Sequence, residues 1–296
     1  VWFPDSAFKT AQAIRDFTKG ESLPIFILAN WRGFSGGQRD LYEQILKFGS
    51  LIVDALKDVH QPVFVYLPPE AELRGGAWVV VDSQINPEYM EMYADPSARG
   101  GILEPEGIVG VKFRPHHFYS LMDRLDEKCR ELAEQIEAAP TPSFKEELSK
   151  KLAARRAQLL PTYRQIACQF ADAHDRPGRM KAKKVIRDIV PWRQSRAFFY
   201  HRLRRIQTES ELTNSIKGYR LSTAEKKAKL QLILSDKFGI NLNSAEDEAI
   251  FDSISEHIAA IKDTIKQLNI ALAKSEISRI LAELPADIAF EGFDAK

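Results

Sequence analysis

The sequence predicts an α/β fold: a buried sheet with helices in the first third, and helices alone after it. Three observations carry this. Up to about residue 115, short apolar runs bounded by Gly and Pro alternate with helical periodicities. Those runs are nearly continuous in apolar residues, as in strands buried on both faces by βα-type crossovers. From Pro115 onward, charged amphipathic stretches with capping signals take over.

The elements follow in order. Ala11, Ile14 and Phe17 space a short helix over Phe8 to Phe17. Leu23 to Ala29 is a strand. Leu41, Ile45, Phe48, Ile52 and Ala55 recur at helical spacing, and that helix begins near Gln38. Pro62 to Leu67 is rich in β-branched and aromatic residues and stops at Pro68-Pro69, a second strand. Ala77 to Val81 and Ile108 to Phe113 are the third and fourth strands. Phe118 to Glu137 is one amphipathic helix, broken at Pro140-Thr141-Pro142. Ser143 with Glu146 forms a capping box for a helix to about Asp172, giving a long antiparallel hairpin. Further helices run from Pro191-Trp192 to Arg205, from the Ser222/Glu225 capping box, over Glu246 to Leu268, and over Ala271 to Leu284. The organisation expected is an α/β core at 1–114, a helical hairpin insertion at 115–190, a helical C-terminal region at 191–285 and a tail at 286–296.

Composition narrows the function classes. The 296 residues carry 44% hydrophobic and 28% charged side chains with a net charge of +1, so no global field favours nucleic acid or a membrane surface. No apolar run is long enough to span a bilayer. Cys129 and Cys168 form no CxxC unit and no disulfide framework, which suits a reducing compartment, with cytoplasm expected and a plastid as the alternative. The chain opens on Val1 rather than Met, without a signal-like segment, and is expected to be a piece of a longer polypeptide, any targeting segment lying upstream.

Three stretches carry the candidate chemistry. Asn30 to Asp40 (Asn-Trp-Arg-Gly-Phe-Ser-Gly-Gly-Gln-Arg-Asp) lies at a strand-to-helix junction. Its glycines let the backbone turn sharply and present bare N–H groups, which suit an anion or a polarised carbonyl oxygen. The bland alternative is a tight connection with a surface arginine. Glu72 to Asp82 places Gly75-Gly76 at a second junction, and the two turns could sit side by side at one sheet edge; a bend ahead of a buried strand is the alternative. Glu104 lies in the Gly/Pro-rich loop Ala98 to Gly107, where a cap carboxylate is the alternative. His116-His117 have no metal-ligand spacing and are expected in solvent; no metal site is expected. His174-Asp175 ends a helix, where a turn role is favoured. Arg202, Arg204 and Arg205 could contact phosphate, but a solvated helix face or an interdomain salt-bridge surface is the expectation.

These stretches, in this order, resemble the C-terminal half of the carboxyltransferase domain of eukaryotic multidomain acetyl-CoA carboxylases. The similarity continues through Met122 to Asp126, Leu160 to Tyr163, Phe170 to Met180 and Ser195 to Arg205. The resemblance implies a crotonase-like β-β-α superhelix with a long helical insertion. It implies transfer of a carboxyl group from carboxybiotin to acetyl-CoA, giving malonyl-CoA for fatty acid synthesis. Biotin would be attached covalently elsewhere, on a biotin carboxyl carrier domain. A missing N-terminal half would hold most of the CoA pocket, and the site would form across a homodimer, leaving this piece inactive alone. By resemblance, Gly36 and Gly37, supported by Gly75 and Gly76, stabilise the biotin ureido oxygen, and Arg32 holds the carboxylate in transit. Trp31, Phe34, Ile45 and Trp78 form apolar walls, and Arg74 and Glu104 line the biotin side. The deprotonated biotin nitrogen can take the acetyl proton, so no general-base side chain is required. A propionyl-CoA-type carboxylase and a non-catalytic crotonase-like assembly module are the alternatives.

Overall fold

The computed structural model describes residues 1–218, 220–244 and 246–283. They form two compact units, Val1–Arg193 and a second that starts at Gln194.

The first unit opens with α1 (Pro4–Lys19), which buries Ala7, Ala11 and Ile14 and packs along α3. Then come β1 (Ile25–Leu28), β2 (Trp31–Arg32), α2 (Gln38–Tyr42), α3 (Ile45–Lys57), β3 (Val63–Leu67), β4 (Glu72–Arg74), α4 (Gly76–Val79), β5 (Met90–Ala94), β6 (Arg99–Gly101) and α5 (Pro105–Lys112). The strands join two sheets alternately. β1, β3 and β5 form one sheet, later extended by β7 (Asp188–Ile189); β2, β4 and β6 form the other. Every pairing is parallel. Each turn of chain therefore contributes one strand to each sheet and then a helix, three times over. This is the β-β-α superhelix expected. β3 is central and buried at all five positions, as its unbroken apolar run requires. Ile25, Ile52, Leu56, Val63, Val65, Leu67, Met90 and Met92 belong to the core between sheet and helices.

Several expectations are corrected. The helix from Gln38 to Leu56 is two helices, because Gln44 is left-handed (φ 65°) and breaks it after Tyr42. Ala77 to Val81 is not a strand: the strand precedes it, Gly75 turns the chain at φ +54°, and the apolar run forms α4. Ile108 to Phe113 is not a strand either; Pro105 fixes the first helical φ of α5 there. Short apolar runs do not separate strand from buried helix by periodicity alone. β2, β4, β5, β6 and β7 were not foreseen.

The rest of the unit comprises α6 (Pro115–Leu125), α7 (Glu127–Glu137), α8 (Pro142–His174) and α9 (Pro177–Ala182). The single helix expected over Phe118 to Glu137 is divided at Asp126, which ends α6 and caps α7 by accepting from Cys129 N–H at 2.9 Å. α8 starts from a Thr141 cap rather than Ser143. α5 to α8 enclose Val109, Phe118, Met122, Cys129 and Leu152. Arg155–Asp126 (2.7 Å) and Arg156–Asp123 (2.6 Å) tie α8 to its neighbours. Burial, with Asp126 nearby, pushes the Cys129 thiol up to about 11, so it stays a thiol.

The second unit holds α10 (Trp192–Ser215, starting just before the boundary), α11 (Thr223–Phe238), α12 (Asp247–Glu256) and α13 (Ile258–Glu283). Leu212, Ile216, Leu230, Leu234, Ile254 and Ile261 form its core. The Ser222/Glu225 capping box opens α11 as expected. α10 runs ten residues past the expected Arg205 end, and the last two expected helices divide at His257 instead of near Ala271. The expected tail lies outside the described residues.

Candidate functional site at the strand ends of the second sheet

Three parallel strands place three loops at one edge. β2 runs into Gly33–Gly37, β4 into Gly75, and β6 into Ile102–Glu104, and each loop opens a helix. The carboxyl edge of parallel strands is where open α/β sheets receive ligands. The two glycine turns do lie together there. Phe34 explains how: an added Cβ on Gly49 would lie 2.7 Å from its ring, and one on Gly76 also 2.7 Å. Its ring thus fills the space between α3 and the start of α4, and only hydrogen at both positions admits it. The third loop joins by Gly75 N–H donating to Gly101 O at 3.0 Å.

The first turn is braced from outside the three strands. Trp2 pairs in parallel with Phe34: Trp2 N–H donates to Gly33 O (2.9 Å) and Ser35 N–H to Trp2 O (2.8 Å). Trp2 stacks on Trp31 with centroids 4.4 Å apart. Ser35 Oγ donates to Asp40 and accepts from Gly37 N–H at 3.4 Å. Gly36 faces open space, and its N–H has no partner among the described residues. Gly76 and Ala77 stand at the start of α4, where N–H groups find no acceptor inside the helix. α2 and α4 have five and four residues, so the backbone's share of the positive potential comes from local N–H groups and not a long helix dipole.

The charged groups form a chain. Arg32 and Arg74 are register partners on β2 and β4. Glu72 Oε1 accepts from Arg32 Nη2 (3.2 Å) and Glu72 Oε2 from Arg74 Nε (2.9 Å). Arg74 Nη1 donates to Asp175 (2.5 Å) and to Leu103 O (2.9 Å). Burial works against the Arg74 charge, but the bonds to Asp175 and Glu72 outweigh it and its pKa is raised. The Arg74 side chain is 3% exposed and that of Arg32 is 59% exposed. Arg74 is therefore an internal strut, and Arg32 is the end of this chain of pairs that solvent reaches.

The remaining predicted residues are placed unevenly. Trp31 and Trp78 are half-buried at the edge, Trp78 Nε1 donating to Asp82 at 2.9 Å. Ile45 is fully buried beneath the turn, at the start of α3. Glu104 is the N-cap residue of α5, half-buried, with no side-chain cap bond. The sequence reading missed Asp175 as a site-side residue: it ends α8 and meets Arg74 across 101 residues. Gly100 and Gly101 were missed too. A Cβ at Gly100 would lie 2.5 Å from the Trp78 ring, and one at Gly101 2.8 Å from Asp175 Oδ1. His116 and His117 are exposed as expected, His117 Nδ1 accepting from Arg114 N–H at 3.1 Å. Arg202 and Arg205 are not a solvated face: both are buried on Asp247, at 3.0 and 2.8 Å.

A parallel β-β-α superhelix with glycine turns and an exposed arginine at its strand ends has the backbone N–H groups and positive charge that an anionic group requires. The chain belongs to the carboxyl transferase domain family, which it matches over residues 1–206. It is 47% identical over 280 residues to acetyl-CoA carboxylase of Saccharomyces cerevisiae, covering 94% of this chain and 12% of that protein. It is 47% identical over 289 residues to the Schizosaccharomyces pombe acetyl-CoA carboxylase, covering 95% of this chain and 12% of the relative. A Saccharomyces cerevisiae protein named mitochondrial acetyl-CoA carboxylase is 45% identical over 296 residues, with 98% and 13% covered. The chain thus spans about an eighth of the length of these relatives. Among solved structures, the β subunit of geranyl-CoA carboxylase from P. aeruginosa is similar at TM-score 0.46 and 17% identity, over 68% of this chain and 31% of that one. Transcarboxylase 12S is similar at TM-score 0.41 and 18% identity, over 64% and 29%.

Proposed function

We propose that this chain is the C-terminal half of a carboxyltransferase domain, which transfers a carboxyl group from carboxybiotin to acetyl-CoA and yields malonyl-CoA. The observation that carries the reading is the convergence of both glycine turns and Arg32 at one strand edge, with Phe34 filling the space between Gly49 and Gly76. Biotin, attached on a carrier domain outside this chain, supplies the carboxyl group and a ureido oxygen that turns negative on release. The residues present fit such a group: an open space at Gly36, amides at Gly76 and Ala77 with no acceptor inside their helix, and a solvent-reached guanidinium.

The N–H groups of Gly36, Gly37, Gly75 and Gly76 are assigned to the oxyanion. Two differ in readiness, since Gly37 N–H already bonds Ser35 and Gly75 N–H bonds Gly101, so Gly36 and Gly76 are the leading donors. Fixed backbone donors meet developing charge without reorganising. Arg32 offers a forked, permanently charged donor to the carboxylate. Trp31, Phe34 and Trp78 wall the site and exclude water, Ile45 packs beneath, Arg74 braces the edge and Glu104 lines the third loop. Acetyl-CoA and the N-terminal half complete the pocket in a homodimer. A cytoplasmic location is expected, although several relatives are named mitochondrial; cell fractionation decides it.

The test is Arg32→Ala in the complete enzyme, followed by malonyl-CoA formation from acetyl-CoA. Turnover should fall roughly 100- to 1000-fold, the scale of losing one transition-state donor. Near-normal turnover would overturn the role of Arg32.

A further inference from the structure

We infer that Glu72 is a positioning residue for Arg32, holding its guanidinium at the strand edge from a base formed by Arg74 and Asp175. The inference rests on the transfer role proposed for Arg32. Arg32 and Arg74 are Cα partners on neighbouring parallel strands. Like charges placed opposite each other on one sheet face repel. Glu72 is two residues before Arg74 on the same strand, so it shares that face. It gives one carboxylate oxygen to each arginine, at 3.2 and 2.9 Å.

An exposed ion pair ordinarily contributes little, because two long side chains must be immobilised. Here one end is already fixed. The Glu72 side chain is 23% exposed and held by Arg74, whose other donors go to Asp175 and Leu103 O. The Glu72 N–H is held as well, donating to Asn30 Oδ1 at 3.1 Å, at the start of the turn that carries Arg32. Only Arg32 has to be ordered. Asp175 is the last link: it ends α8, so the helical insertion braces the site through Arg74. The pairing also spends part of the Arg32 charge before substrate arrives, leaving solvent-facing N–H donors aimed rather than wandering.

The test is a double-mutant cycle in the complete enzyme, reading malonyl-CoA formation and thermal unfolding. Glu72→Gln should lower kcat/KM about 10- to 100-fold, the scale of a misplaced site group. In an Arg32→Ala background the same substitution should add less than about twofold, because both act through one guanidinium. Glu72→Asp keeps the Arg74 pair but is one methylene too short for both arginines. It should unfold at the wild-type temperature and lose activity like Glu72→Gln, which decides the matter if Glu72→Gln does not fold. Wild-type activity in both Glu72 variants overturns the inference while leaving Arg32 in place. A full second loss in the Arg32→Ala background also overturns it, since Glu72 would then act independently. A normal Arg32→Ala enzyme removes the functional reading itself, whatever Glu72 does.

Discussion

The two units each hold arginines against carboxylates, and they do so to opposite ends. In the second unit, Arg202 and Arg205 both bond Asp247, Arg205 also reaches Ser244 O and Glu209, and Arg204 lies over the Phe251 ring at 5.4 Å. Both Asp247-bound guanidinium groups are buried and their charge is closed off. In the first unit, Arg74 is equally enclosed, but it passes its anchoring through Glu72 to Arg32, whose side chain remains 59% exposed. A run of arginines in sequence therefore says little about ligands. What separates scaffold from site is whether the chain of pairs ends inside the protein or at its surface.

That contrast can be broken at several points. Asp247→Ala removes the carboxylate that two buried arginines share and should destabilise the second unit by about 2–3 kcal/mol in denaturant unfolding, less than the loss of a sole partner because Arg205 keeps Glu209 and Ser244 O. A loss under about 1 kcal/mol would mean solvent already reaches Arg202 and Arg205. Gly76→Ala forces a Cβ to within 2.7 Å of the Phe34 ring. It should cost about 1–3 kcal/mol from overpacking, and malonyl-CoA formation should fall with it. Unchanged stability and turnover would show that Phe34 does not lock the two turns. Arg32→Ala should move stability by no more than about 1 kcal/mol, although its effect on turnover is the largest of the series; strong destabilisation would make Arg32 a strut like Arg74. The smallest effect is in acid. The Arg99 bond holds the Asp172 carboxyl below its usual 3.8, while burial of Asp172 opposes it. Its folded pKa is depressed, so its contribution is present above about 3.8 and lost as pH falls through the folded value. Asp172→Asn should flatten the unfolding curve below pH 4, and an unaltered acid limb would count against the Arg99 latch.

Much of this fold was legible in the sequence. The run Pro62 to Leu67 favours a strand through its β-branched and aromatic residues and its stop at Pro68-Pro69, and glycine pairs flanking strands mark sharp turns. The Ser222/Glu225 spacing announces its helix. Other parts were hidden for physical reasons. Gly100 and Gly101 look like loop residues because their role is what they lack: any side chain would strike Trp78, Met180 or Asp175. Ala77 to Val81 and Ile108 to Phe113 mix buried residues (Ala77, Val80, Val81, Val109) with exposed Val79 and Val111, and short apolar runs do not choose between helix and strand. The Arg74–Asp175 pair joins residues 101 apart, and no local pattern signals such a partner. At the site, the identity of the glycines and Arg32 was readable. Which amides are already engaged, as Gly37 and Gly75 are, needed coordinates.

The alternation of strands between two sheets also sets an order of assembly. Arg32 meets Arg74, and Arg74 meets Gly101, over modest stretches of chain. Successive turns of the superhelix can therefore settle as each is made. β7 is different: Tyr93 pairs with Asp188, and Tyr66 Oη donates to Val190 O across 124 residues. That seam closes a loop containing the whole helical hairpin, and distant pairings are slow to form. The first sheet should thus acquire its outermost strand last. Pulsed hydrogen exchange during refolding should protect Val63 to Leu67 before the amides of Asp188 to Val190, and simultaneous protection would refute that order.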